Sequence, residues 1–227
     1  MQITIETKKF DSDGITISYT ISGSGQPIIF MHGNLGSNEH FEEMNSLLSG
    51  YTVCVPDARS HGKSQKVKRL KFEEMADDVA RLIRHENMVK PIFYGFSDGG
   101  IVGLILAAKY PDLLKELVVS GINISPKGIK PLWRFIVRFC FFFTRNDKFR
   151  LMIKQPNITA DQLKQIKVPT LILYGEKDIV ELQESEIAKE NIPNSKLVII
   201  PGENHVSYVL DNKKLFTILK DNTIIAI

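Results

Sequence analysis

The string Gly95-Phe96-Ser97-Asp98-Gly99-Gly100 sets a hydroxyl between glycines two residues away on either side. An apolar run over 91–96 leads straight into it, and an apolar helical pattern over 98–109 leads straight out. A strand that turns into a helix with no intervening loop forces the corner residue into a strained backbone conformation, and small neighbours let the two arms approach. Ser97 at such a corner would present its hydroxyl at the carboxyl edge of a sheet, above a helix N-terminus whose N–H groups favour developing negative charge. That arrangement suits nucleophilic attack on a carbonyl. A glycine-rich turn with a helix-capping serine is the plainer alternative, yet a cap does not require glycine on both sides. A serine hydroxyl is a poor nucleophile at neutral pH and needs a base within hydrogen-bond reach. Of five histidines, His205 follows the last apolar run, in the turn-rich segment Pro201-Gly202-Glu203-Asn204-His205, where it can face the same sheet edge. Imidazole takes up and returns a proton near neutral pH, as the role demands.

These groups need a scaffold. Residues 2–7 and 14–21 alternate in polarity around Asp11-Ser12-Asp13-Gly14, which predicts a hairpin and an antiparallel start. Short, nearly continuous apolar runs follow at 27–31, 51–55, 91–96, 117–120, 168–174 and 197–200, the pattern of strands covered on both faces. Between them, 72–85 repeats apolar residues at three- and four-residue intervals, and 101–109 is apolar almost all round. Strand and helix alternate, so the expected class is α/β: about eight strands, mostly parallel, flanked by helices. The 227 residues predict one domain over 1–227, large enough to bury its core without staples.

At this point the sequence resembles the serine-dependent branch of the α/β-hydrolase superfamily, over nearly its whole length. His32-Gly33-Asn34 matches the family's oxyanion loop, and Asp57-Ala58-Arg59-Ser60-His61-Gly62-Lys63-Ser64 matches its D-x-R-G-H-G-x-S loop, with Ser60 in place of the usual glycine. Gly175-Glu176-Lys177-Asp178 stands where the acid loop does, and Gly202-Glu203-Asn204-His205 where the histidine loop does, in the family's order Ser, Asp, His. The wording around Ser97 most resembles the small carboxylesterase, lactonase and valacyclovir-hydrolase-like members. The resemblance implies a triad of Ser97, His205 and Asp178, with Glu176 and Glu181 as rival acids on the same loop. It also implies an oxyanion hole from the backbone N–H groups of Asn34 and Asp98. Asn34 in this position also occurs in haloalkane dehalogenases, whose nucleophile is aspartate, so serine at 97 argues against halide displacement. His32 and His61 are expected to hydrogen-bond their own loops, and His40 and His85 to lie on helix surfaces. No histidine has metal-ligand spacing, and neither a metal nor a cofactor is expected.

One segment breaks the alternation. Residues 121–165 fall where this superfamily inserts a cap, and 131–143 is aromatic with a helical period. Trp133, Phe135 and Phe139 are the candidates for a substrate-pocket wall, unless the aromatics only fasten a helix to the core. From 121 to 155 there are eight basic residues against the single acid Asp147, leaving the rest of the chain net negative although the whole carries only +3. This segment is expected to show a solvated outer face and an apolar inner one. Peripheral membrane contact is a weaker expectation, and the short, arginine-interrupted run cannot span a bilayer. The mild net charge gives no ground for a nucleic-acid partner. The two cysteines, Cys54 and Cys140, and an N-terminus without an apolar leader point to a reducing, cytoplasmic setting. The expected activity is cleavage of carboxylic esters or related small acyl compounds through an acyl-enzyme. Two other classes remain: a hydrolase-fold binding or sensing protein with little turnover, and a membrane-peripheral interaction protein working through the basic insert.

Overall fold

A computed structural model describes residues 4–226. The predicted first strand begins at residue 2, and its first two residues lie outside that range. The hairpin is β1 (Ile5–Ser12) and β2 (Ile15–Gly23), paired antiparallel. Six further strands follow: β3 (Gln26–Met31), β4 (Tyr51–Pro56), β5 (Ile92–Phe96), β6 (Glu116–Ser120), β7 (Thr170–Lys177) and β8 (Ser195–Asn204). Their order in the sheet is β1-β2-β4-β3-β5-β6-β7-β8, antiparallel as far as β2–β4 and parallel from β4 onward.

Period-two alternation divides the strand residues between two cores. Ile29, Met31, Phe93, Leu117, Val119 and Ile172 face one side, where α2 (Phe72–His85), α3 (Asp98–Lys109), α6 (Ala160–Lys164) and α7 (Leu182–Asn191) cover them. Ile28, Phe30, Ile92, Tyr94, Val118 and Leu173 face the other, under α1 (Met44–Leu47), α8 (Ser207–Leu210) and α9 (Asn212–Asp221). Burying each such side chain contributes about 1.5–3 kcal/mol, which is why the central strands read as unbroken apolar runs.

The last strand departs from expectation. Residues 197–200 are half-buried or exposed, with Ile199 at 46% exposure, because β8 is the sheet's terminal strand and pairs only with β7.

Between β6 and β7 lie α4 (Pro131–Thr144) and α5 (Asp147–Lys154), then α6. This insertion is tied down on both sides of α4. At its start, the buried Glu184 carboxylate accepts from the Ile124 and Ser125 N–H groups at 2.6 and 2.9 Å, while Glu181 N–H donates to the Gly128 carbonyl at 2.8 Å. Just beyond α4, Asp147 accepts from the Leu70 N–H at 2.6 Å and from Arg69 at 2.9 Å, and also pairs with Arg150. Burial raises the Asp147 pKa, but Arg150, the Leu70 N–H and Arg69 outweigh it and hold the carboxyl down at about 2. Among the described residues no helix is long and apolar enough to cross a membrane.

Candidate active site

The parallel strands deliver their C-terminal ends to one edge, and the corner after β5 stands there. Ser97 has φ 52° and ψ −116°, a backbone conformation that costs a side-chain-bearing residue about 1–3 kcal/mol. Its N–H donates to the Ser120 carbonyl at 2.8 Å and its carbonyl accepts from Ile101 N–H at 3.0 Å, which fix the corner. The flanking glycines have a steric cause. A Cβ on Gly95 would overlap the Gly99 carbonyl, and one on Gly99 would overlap the Met31 carbonyl at the end of β3.

Three distant segments meet at this corner. The Ser97 hydroxyl lies 3.2 Å from His205 Nε2, within hydrogen-bond reach but at its long end. His205 Nδ1 donates to Asp178 Oδ1 at 2.7 Å, and the same oxygen accepts from Val180 N–H at 2.9 Å. Asp178 is fully buried, whereas the rival Glu176 accepts from Gly202 N–H and is exposed, and Glu181 is half-exposed. Asp178 Oδ2 is buried without a hydrogen-bond partner among the described residues, so His205 and Val180 carry the carboxylate's stabilisation. The Phe96 ring, 4.9 Å from the imidazole, packs against it.

Two further features hold this cluster, and neither was apparent from residue types. Lys130 donates to the Asp178 carbonyl at 2.6 Å, joining the insertion to the acid loop. Gly121, at φ +60° just after β6, leaves room for the histidine: a Cβ there would come within 2.8 Å of the imidazole. A glycine directly after a strand was the one available signal. Gly121→Ala should therefore leave secondary structure intact by circular dichroism and lower kcat about 10²-fold, since a displacement of an ångström at a reacting group costs that much.

Asn34 and Asp98 border the same cavity as Ser97 and His205. Asp98 opens α3, where the first-turn N–H groups have no intrahelical acceptor. The Asn34 N–H has no hydrogen-bond partner among the described residues; its side chain accepts from Leu35 N–H at 2.9 Å and donates to the Lys148 carbonyl at 3.1 Å. This pins the loop after β3 against α5. Asn34, Asp98, Ser97 and His205 thus share one cavity wall.

The cavity holds about 280 Å³, at the small end for ligand sites. Its walls are mostly apolar, with Trp133, Ile136 and Val137 from α4 and Phe149 and Met152 from α5. Of the three aromatics expected there, only Trp133 lines it. Phe135 and Phe139 project outward, 66% and 55% exposed, because the inward helical phase runs through 133, 136 and 137 and leaves 135 and 139 on the opposite arc. The inner face of the insertion is apolar as expected, but its outer face is apolar as well, where a polar solvated one was expected. A second gap, between Ile17, Met31 and Met75, is about 10 Å³ and is a packing defect no ligand fits.

His32 and His61 sit where expected. His32 Nδ1 donates to the Gly33 carbonyl and its Nε2 accepts from Ala58 N–H, while His61 bonds the Arg59 carbonyl. Burial lowers their pKa values to about 4 and about 3, so both stay neutral. His85 is exposed and stacked on Phe10. His40 corrects the surface expectation: it is half-buried and lines the cavity, its Nδ1 unpartnered among the described residues. Ser60 takes φ 64°, a conformation glycine adopts more readily, and its hydroxyl accepts from Val67 N–H at 2.9 Å, which offsets the strain. Among the described residues no group of three or more His, Cys, Asp or Glu side chains is placed to hold a metal ion.

Asp98 is the site's most perturbed carboxyl. Burial pushes it up to about 7, with Lys148 pulling the other way. The folded protein therefore keeps a proton that the unfolded chain releases, and this group's stabilisation is lost as pH rises from about 4 to about 7. Asp98→Asn should remove that decline. The melting-temperature gain over the parent should grow through this interval and level off above it, as a pH series of thermal melts would read.

Comparisons with known proteins agree with this architecture. The family model described as alpha/beta hydrolase fold matches residues 26–149. Human serine hydrolase BPHL is 26% identical, with 88% of this chain and 80% of the relative aligned. Lipase 1 of Psychrobacter immobilis is 24% identical over 90% and 81%. Among solved structures, a bromoperoxidase from Bacillus anthracis superposes with a TM-score of 0.84 at 19% identity, covering 97% of this chain and all of the other. Est816, described as an N-acyl homoserine lactone degrading enzyme, gives 0.80 at 19% identity, covering 94% and 99%.

Proposed function

The chain belongs to the alpha/beta hydrolase fold family, and from that premise we propose that it is a serine hydrolase cleaving carboxylic esters or related acyl compounds through an acyl-enzyme. Ser97 attacks the carbonyl carbon as His205 takes its proton. Asp178 holds the imidazole in the tautomer that bares Nε2 and stabilises the imidazolium. The N–H groups of Asn34 and Asp98 receive the oxyanion. His205 then protonates the departing alcohol, and water, activated by the same histidine, releases the acid. Residues 121–165 act as a small cap, with Trp133, Ile136 and Val137 roofing the acyl portion. The observation that carries the reading is the continuous hydrogen-bond chain from Ser97 through His205 to the buried Asp178. The names of the relatives, a serine hydrolase and a lipase, favour the same chemistry. The cavity's volume favours short or slender acyl groups.

Intact-mass spectrometry after treatment with a fluorophosphonate tests this. One covalent adduct on Ser97, together with hydrolysis of p-nitrophenyl esters that declines as the acyl chain lengthens, is the expected result. An unlabelled protein that also leaves every ester intact would instead favour a binding role for the fold.

A further inference from the structure

The outer face of α4 leaves five large apolar side chains in water. Leu132, Phe135, Phe139, Phe142 and Phe143 are 55–67% exposed. At 100° per residue they fall within one arc of the helix, opposite Val137 and the cavity. Arg134, Arg138 and Arg145, at i, i+4 and i+11, form a line along one border of that arc, and Arg145 lies 5.4 Å from the Phe142 ring centroid. The helix contains no acid; of the insertion's two acids, Asp147 is engaged by Arg69 and Arg150, and Asp161 lies in α6 beside Lys164.

We propose that α4 is an interfacial helix that seats this protein on an anionic lipid surface, its phenylalanine arc in the headgroup boundary and its arginine row on the lipid phosphates. Charge selects this occupant. A second copy docked face to face would set one excess of seven positive charges against another. An anionic bilayer meets both parts of the face, since it accepts aromatic rings at headgroup depth and attracts the basic border. The net negative remainder of the chain is repelled by the same surface and so turns the insertion toward it. The 14-residue helix spans about 21 Å, a length that lies along an interface rather than across it. The proposal needs no particular chemistry at Ser97.

Vesicles of phosphatidylcholine alone and with one-third phosphatidylglycerol are titrated at low and at physiological salt, reading co-sedimentation. Expected is at least about tenfold stronger partitioning on the anionic vesicles, weakened by salt. Phe135→Ser/Phe139→Ser/Phe142→Ser and Arg134→Gln/Arg138→Gln/Arg145→Gln should each cut partitioning at least about tenfold, while the remote Lys8→Gln/Lys9→Gln pair leaves it unchanged. Circular dichroism checks that each variant is folded. Equal partitioning of the parent protein on the two vesicle types overturns the proposal without recourse to any variant. So does a concentration-dependent dimer in sedimentation equilibrium that the phenylalanine variant abolishes, which would assign the face to a second copy. Binding to an acidic polypeptide in place of anionic vesicles overturns it as well.

Discussion

Ser97→Ala is expected to lower kcat on a responsive p-nitrophenyl ester by at least about 10³-fold, with KM nearly unchanged. The change removes the oxygen proposed to attack and one hydrogen bond, that to His205 Nε2. It leaves the walls of the cavity and the Asn34 and Asp98 N–H groups proposed to receive the oxyanion in place, so the expected loss is stabilisation of the transition state alone. Alanine at φ 52° inherits the strain of serine without relieving it, and the melting temperature should stay within a few degrees. A full-rate Ser97→Ala enzyme would mean that another nucleophile, or a direct attack by water, performs the hydrolysis.

Asp178→Asn should lower kcat by about 10³- to 10⁴-fold while preserving the fold. The carboxylate is fully buried, and its Oδ1 serves both His205 and the Val180 N–H. The amide oxygen of asparagine can keep the Val180 bond, so the loop retains its shape. What disappears is the negative charge that compensates the imidazolium as Ser97 gives up its proton. The amide nitrogen also enters the position of Oδ2, which is buried with no hydrogen-bond acceptor among the described residues, so a donor placed there is left unsatisfied. Stopped-flow turnover beside thermal melts checks both halves. An Asp178→Asn enzyme of undiminished rate would shift the role to Glu181 or to no acid at all.

The elbow around Ser97 was readable because its requirements are local. A residue at a strand-to-helix corner needs glycines where its own chain folds back, and those glycines are two positions away. His205 and Asp178 were readable through chain order, because parallel strands carry every strand end to one edge. The orientation of α4 was not. Its aromatics populate both sides of the helix, so composition alone does not say which side meets Ile129 and Val180 and which meets water. Phe135 and Phe139 were assigned to the cavity for that reason. The exposure of β8 follows from its place in the strand order, which no run of apolar residues encodes. Glu184 reads as an ordinary helix-surface acid in α7. Its burial comes from a partner about 60 residues away, and the Cβ-free space at Gly128 into which it fits becomes visible only in three dimensions.

Because Glu184, Glu181 and Lys130 fasten the chain before α4 while Asp147 and Arg69 fasten the chain after it, α4 is bracketed by attachments it does not itself make. The stretch between those attachments is therefore an exchangeable cassette. A helix of equal length and different inward residues could be transplanted at 131–144 to retailor acyl preference, with the hinges and the chemistry below left as they stand.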